Sequence, residues 1–544
     1  MAFWADWKAG SLADNIFRTK SDTAVSLQCR TAVFSRLHER RIPGFCAEQK
    51  CNDIITTKKR QDMNTTETDR EKQESKMTYE EALTWLNAPK YSQTRPGLKP
   101  VTELMRRLGN PQDGMQYIHV AGTNGKGSTA AFIERVLRSS GLKTGLYTSP
   151  YLEHFTERIR VCGEEIAEAD VARLTEKVRE KSEEMSADGW AEPTVFEMVT
   201  AVAFLYFREQ NCDAVVLEVG MGGRLDATNI VRPQDKAVAV ITKLGYDHMQ
   251  FLGNTIDEIA HEKAGIILDG VDTVSAPQEE AAREVLRKAA HEHHANLSFI
   301  DSDPKCLLKS GAAAQEMRME QEAAGIHAET DEIKSLLGRP LSPELLHTDL
   351  DGQTYRLPDG EELTIGLLGM YQMSNSLTAL AAIRVLQRKG WPVSEEALKE
   401  GFQKTRWNGR FELVSRKPAI LIDGAHNPDG VESLRESLEN LFPGKKITFI
   451  TGVLADKDYS QMYHLIQPLA ERFLTVTPHC DRALSSSDLA EFLEKTGVET
   501  IDCETPEKAV DRCLRDYPDA VICAFGSLYY IGSVREYCRK LNLN

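Results

Sequence analysis

The chain has 544 residues, of which 41% are hydrophobic and 27% charged, and its 66 Lys and Arg against 82 Asp and Glu leave a formal net charge of −16. That length suits two or three domains of a soluble globular protein. The acidic balance argues against a nucleic-acid partner, and no apolar run approaches the ~18 residues of a membrane-spanning helix. The 11 scattered cysteines include no C-x-x-C pair, so they read as reduced thiols of a cytoplasmic protein and not as a disulfide or zinc framework.

Residues 1–76 differ from the rest. "TTKKRQDMNTTETDREKQESK" is almost free of apolar residues and reads as disordered. The Arg-rich "RTAVFSRLHERRIPGF" before it has a weak look of a targeting segment, while translation starting at Met63 or Met77 explains the whole stretch equally well. From Met77, "MTYEEALTWLNA" and "GLKPVTELMRRLGNP" carry helical spacing, the second closed by Gly109. Short β-branched runs then alternate with helices: "QYIHVA", "KTGLYTS", "DAVVLEVG", "KAVAVITKL", "PAILIDG", "KITFITGVL", "RFLTVTP" and "DAVICAFGS". This alternation predicts an α/β fold of mostly parallel sheets covered on both faces. Residues 303–350 interrupt it and are expected to be a helical surface insertion. The "HEHH" at 291–294 reads as an exposed helix end, and "KTRWNGRFELV" at 404–414 as a junction before a second α/β pattern.

In parallel sheets, ligands gather beyond the carboxyl ends of the strands. "QYIHVA" runs into Gly122-Thr-Asn-Gly-Lys-Gly-Ser128, which departs from the usual G-x-x-x-x-G-K-[ST] loop because Gly127 follows Lys126 and Val120 stands where the first glycine belongs. "KTGLYTS" ends at Ser149, "DAVVLEVG" places Glu218 at its tip, and "KAVAVITKL" leads into Asp247-His248. Glycines expose backbone N–H groups to phosphates, and the positive end of the following helix adds to this. Lys126 suits the outer phosphates, and Ser149 and Glu218 suit Mg²⁺, which prefers oxygen ligands; His248 is a less usual partner.

These stretches, with "TSPYL…TERIRV", "TVFE", "LEVGMGGRLDATN", "IAHEKAGI", "GRFE", "IDGAHNPDG", "GVLADKDY" and "FGSLYYIGSVR", resemble the folylpolyglutamate synthase/dihydrofolate synthase family of Mur-ligase-like, ATP-dependent amide ligases. The resemblance runs from Met77 to the C-terminus outside the insertion. It implies a P-loop domain over about 77–405 and a smaller Rossmann-like domain over about 411–544, with the active site between them. The implied reaction joins L-glutamate to a folate or to 7,8-dihydropteroate through an acyl phosphate, with ATP and two Mg²⁺ ions, in a protein acting as a monomer. The resemblance assigns Gly122, Thr123, Asn124, Gly125, Lys126, Gly127 and Ser128 to ATP, together with Asn375, Arg410 and Asp423. Ser149, Glu218 and His248 resemble the magnesium ligands. Lys263 matches a lysine that is carbamylated in the family, and His426 lies near the glutamate or phosphate site. Thr194, Phe196, Glu197, Leu225 and Asp226 resemble the pterin-side contacts; Phe196 reads equally well as core packing.

Three residues depart from the family pattern: Tyr151 where His follows "TSP", Asn408 in place of proline, and Tyr371 where His is common. None of them is a proposed phosphate or metal contact. A Mur ligase of cell-wall synthesis shares the loop, but the segment from Met77 to His119 is short for its nucleotide-sugar domain. A non-catalytic binding protein would be expected to have lost Lys126, Glu218 or His248. "RLDA" resembles the form found in enzymes that accept dihydropteroate, so both acceptors are expected.

Overall fold

In a computed structural model of the protein, residues 77–88, 97–301, 343–357 and 360–543 are described. The disordered segment expected at 1–76 lies outside them, as does most of the expected insertion. The first helix, Tyr79–Leu86, opens on a reciprocal cap: the Thr78 hydroxyl accepts the Glu81 N–H while the Glu81 carboxylate accepts the Thr78 N–H.

The first domain is built on β1 (Gln116–Ala121), β2 (Thr144–Tyr147), β3 (Ile159–Val161), β4 (Glu164–Glu165), β5 (Ala214–Glu218), β6 (Lys236–Ile241), β7 (Thr273–Ser275) and β8 (Leu297–Phe299). They form one sheet in the order β4-β3-β2-β5-β1-β6-β7-β8. It is parallel from β2 to β8, with β3 and β4 antiparallel at one edge. β5 and β6 are buried throughout, as expected of strands covered on both faces. The helix Lys126–Ser139 lies between the sheet and the helices Tyr371–Arg388 and Glu395–Lys404, so nearly all of it is buried. Phe132 stacks on Phe402 at 5.2 Å there, an arrangement worth about 1 kcal/mol beyond its buried area.

The expectation of a helical insertion over 303–350 needs correction at its end. β9 (Glu344–Thr348), β10 (Gln353–Arg356) and β11 (Glu362–Ile365) form an antiparallel sheet, β11-β10-β9. The cause is local: Asp349 Oδ1 accepts the N–H groups of Asp351 and Gly352, closing a hairpin turn between β9 and β10.

The second domain carries β12 (Glu412–Arg416), β13 (Ala419–Ile422), β14 (Ile447–Thr451), β15 (Ala470–Val476), β16 (Glu499–Glu504) and β17 (Val521–Phe525). Their order is β12-β13-β17-β14-β15-β16, parallel except for β12. Glu153 of the first domain meets Arg535 and Arg539 of the second, each at 2.9 Å. Among the described residues, no helix is long and apolar enough to cross a membrane.

Candidate active site

β1 sits between β5 and β6, so their carboxyl ends form one rim. Beyond β1, Gly122 has φ +152° and a Cβ there would lie 1.8 Å from the Thr242 hydroxyl oxygen. Gly125, at φ +88°, is the left-handed N-cap of the helix Lys126–Ser139, with no side chain closing its end. The first amides of that helix are therefore open to an anion. The N–H groups of Thr123 and Asn124 donate to the Lys243 carbonyl at 2.9 and 3.2 Å, and the Thr123 hydroxyl oxygen accepts the Gly245 N–H. Lys126 Nζ donates to the carbonyls of Gly122 and Thr123 at 3.2 and 3.1 Å. Ser128 is buried and accepts a bond from Gln372 Nε2 at 3.1 Å.

Glu218 is buried at the tip of β5, and its Oε2 accepts the Ser149 N–H at 3.1 Å. Burial raises its pKa, against the cations of Lys126, Arg410 and Arg158. His248 has φ 51° and begins a single helical turn, Met249–Leu252; burial lowers its pKa while Asp247 opposes the shift. Lys263 is buried, and its Nζ donates to the Gly122 carbonyl at 2.8 Å. Desolvation and the nearby Lys126 cation pull it down to about 7.

Asp247 joins the two domains. Lys457 Nζ lies 2.9 Å from it, His426 Nε2 3.7 Å and His248 Nε2 3.8 Å. Burial works against the charged form, but the neighbouring His426, His248 and Lys457 hold this carboxyl far below its ordinary value. The His426 ring is fixed from its other side, where Nδ1 bonds the Gly424 carbonyl at 2.7 Å. Asp423 accepts the Tyr371 hydroxyl, the Phe411 N–H and the Ala425 N–H at 2.7, 2.7 and 2.8 Å. Arg410 packs over Gly424, where a Cβ would lie 2.3 Å from its Nη1. Asn375 donates to the Gln372 side chain at 3.0 Å, and its own carbonyl oxygen lies where a Cβ on Gly125 would stand.

On the acceptor side, Thr194 and Glu197 cap the helix Val195–Glu209 reciprocally, so both have a structural task besides facing the cleft. Phe196 rests on Gly220 and lies 5.9 Å from the Tyr147 ring, combining packing with an accessible face. Leu225 is half-buried. Asp226 is buried and accepts the N–H groups of Met221 and Thr228 and the Thr228 hydroxyl, which shapes the loop that it belongs to.

All of these predicted residues line one cleft of about 1490 Å³ between the domains, except Gly122 and Lys263, which form the layer behind it. Arg158, Asp247 and Lys457, to which the resemblance assigns no role, also line the cleft. Arg158 and Lys457 sit inside stretches that carry the resemblance, "TERIRV" and "GVLADKDY", and Asp247 precedes His248 in the sequence. Lys126, Arg158, Lys243, Arg410 and Lys457 thus set positive groups into a cleft whose lining also carries the carboxylates Glu218, Asp226, Asp247 and Asp423.

The Mur ligase middle domain matches residues 120–383, and the Mur ligase glutamate ligase domain matches residues 409–528. The dihydrofolate synthase/folylpolyglutamate synthase of Bacillus subtilis is 34% identical over 84% of this chain and 98% of its own. The crystal structure of folylpolyglutamate synthase from Thermotoga maritima superposes with a TM-score of 0.69 at 31% identity, covering 86% of this chain and 98% of that one. An FPGS complex with AMPPCP and folate gives 0.67 at 31% identity over 85% and 99%. With that identity sustained across both domains, the chain belongs to the folylpolyglutamate synthase/dihydrofolate synthase family of Mur-type, ATP-dependent amide ligases.

Proposed function

We propose that the protein uses ATP to join L-glutamate to folates and also to 7,8-dihydropteroate. The observation that carries this reading is the facing of an uncapped, glycine-opened helix end and a second domain of the glutamate-ligase type across one cleft. The bifunctional part draws on "RLDA" and on the double activity in the name of the Bacillus subtilis relative.

The acceptor carboxylate attacks the γ-phosphorus of ATP and ADP leaves; the glutamate amine then attacks the acyl carbon and phosphate leaves. Positioning and charge neutralisation dominate such chemistry. The loop amides and Lys126 hold the phosphates, while Asn375, Arg410 and Asp423 receive the nucleotide from the domain junction. Asp247 draws His426 toward the reacting end from the second domain.

Ser149, Glu218 and His248 open onto the cleft, and the hydroxyl and carboxylate suit a hard cation. Among the described residues, no group of three or more His, Cys, Asp or Glu gathers as a metal cluster, so phosphate oxygens and water would complete a magnesium shell. Bound there, Mg²⁺ would neutralise phosphate charge. The lowered pKa of Lys263 supports its carbamylation, which would supply an oxygen ligand for a second ion. One chain supplies both cleft walls, which supports a monomer as the acting unit, and seven free cysteines among the described residues fit a cytoplasmic setting.

The test is incorporation of labelled glutamate with ATP and Mg²⁺ on 7,8-dihydropteroate and on tetrahydrofolate in parallel. Incorporation with both supports the full proposal. Incorporation with tetrahydrofolate alone removes the dihydrofolate synthase half, and none with either removes the folate assignment.

A further inference from the structure

Beneath the loop that carries Leu225 and Asp226 lie two buried bases with no part in the chemistry above. His119 stands in β1, aligned with Leu217 of β5 and Ala239 of β6, and is fully buried. Its Nε2 lies 2.8 Å from the Thr228 hydroxyl oxygen, which in turn lies 2.6 Å from Asp226 Oδ1. An ionised carboxylate only accepts, so the Thr228 proton points to Asp226 and the Thr228 oxygen accepts from His119. This fixes the Nε2–H tautomer and leaves Nδ1 with no hydrogen-bond partner among the described residues. A buried, unpaired ring nitrogen costs free energy, so packing alone would favour an apolar side chain here. The second base, Lys236, donates to Asn229 Oδ1 at 3.2 Å and to the Ile266 carbonyl at 2.9 Å. Asn229 also donates to the Gly265 carbonyl at 2.9 Å. The acceptor loop is thus anchored from below at two successive polar residues, Thr228 by His119 and Asn229 by Lys236.

We propose that His119 is a positioning residue for the acceptor acid: through Thr228 it orients Asp226, and with it the wall that receives the pterin-bearing substrate. The proposal rests on the folate-ligase reading and deepens its acceptor side by a residue that lies behind the cleft. His119 shares β1 with the root of the phosphate loop, but its one side-chain bond leads to the acceptor loop. Disturbing it should therefore change acceptor binding and leave the ATP side alone.

The experiment is steady-state glutamate incorporation by the full-length protein, varying tetrahydrofolate, dihydropteroate and ATP in turn. His119→Leu and Thr228→Val should each raise the acceptor KM by about tenfold, the size expected for losing a buried bond that leaves its partner unpaired. The KM for ATP should stay at its wild-type value. His119→Gln and Thr228→Ser, which keep a donor and a hydroxyl, should recover part of the loss. Because both substitutions cut one link, the double variant His119→Leu/Thr228→Val should be no worse than either single variant. Thr228→Val is the milder change and decides the matter if His119→Leu does not fold. An unchanged acceptor KM, ATP and acceptor constants moving together, or additive effects in the double variant would each overturn the proposal. Wild-type protein inactive on both acceptors would overturn the folate reading itself, a result separable from the others because it needs no variant.

Discussion

Lys263 Nζ donates to the carbonyl of Gly122 at 2.8 Å across 141 positions of sequence. The helix that holds this lysine is therefore tied to the root of the phosphate loop. Desolvation and the neighbouring Lys126 cation lower its pKa to about 7, so the neutral amine gains population as the pH rises through that value. A carbamate forms when the neutral amine attacks CO₂ and releases a proton. With ¹³C-labelled bicarbonate, a carbamate signal should be present at pH 8, weak at pH 6 and absent in Lys263→Arg. A signal that ignores pH, or that persists in the variant, would remove Lys263 from the proposal. Linkage has a matching sign. Between about 7 and the ordinary lysine value of about 10.4, the unfolded chain holds a proton that the folded one lacks, so this group's contribution to stability rises with pH there.

Lys126 bonds only loop carbonyls in this structure, at 3.1 and 3.2 Å, and remains partly exposed on the cleft. Removing it should cost little stability and much phosphate stabilisation. Lys126→Ala is expected to melt within a few degrees of wild type while turnover falls by about 10²-fold or more, as when a preorganised charge-stabilising group is lost. Near-wild-type turnover would displace the ATP site from this loop.

Much of this fold was legible because buried parallel strands announce themselves as apolar runs. The missed elements lack that signal for definite reasons. β7 and β8 are three residues each, β3 and β4 form a short antiparallel edge, and β16, "ETIDCE", is a polar edge strand. The Asp351-Gly352 turn is a readable hairpin cue just beyond the expected helical insertion at 303–350. At the site, glycines and strand ends were legible, whereas Lys263 looks like any helical lysine until the fold buries it. The Lys457–Asp247 pair spans 210 positions and exists only once the domains meet. Thr194 and Glu197 show the opposite case. T-x-x-E ahead of an apolar run is a capping signature, legible as local structure with no reference to a substrate.

Gly125 combines two demands, a left-handed φ of +88° and a Cβ position 2.1 Å from Asn375 Oδ1. Gly125→Ala must strain the backbone and displace a side chain on the helix Tyr371–Arg388. A loss of about 1–3 kcal/mol is expected from the strained conformation, with weakened binding of a non-hydrolysable ATP analogue by calorimetry. Gly141 is the control, since it also has positive φ but its Cβ would meet nothing within 4 Å; Gly141→Ala should lower the melting temperature without touching nucleotide affinity. Equal affinity in both variants would mean that the Gly125–Asn375 contact is not part of the nucleotide site.

Tyr371 stands where its family commonly has histidine, and the structure gives that departure a physical sense. Its hydroxyl donates to Asp423 Oδ2 at 2.7 Å, beside the Phe411 N–H on the same oxygen. The adjacent Gln372 bonds Ser128 in the phosphate loop. Two neighbouring residues at the start of one helix thus grip both nucleotide-facing walls. Burial already raises the Asp423 pKa, and the Tyr371 hydroxyl opposes that rise more than any other group. Tyr371→Phe removes that donor, so the Asp423 pKa should climb and its carboxylate should align less well. The KM for ATP should then rise by about tenfold, the size of one hydrogen bond to a charged group, while the acceptor KM stays fixed. Tyr371→His restores a donor on a shorter ring and should recover part of the affinity. ATP and acceptor KM values rising together would instead mark Tyr371 as general support for the domain junction, and an unchanged ATP KM would detach Asp423 from the nucleotide.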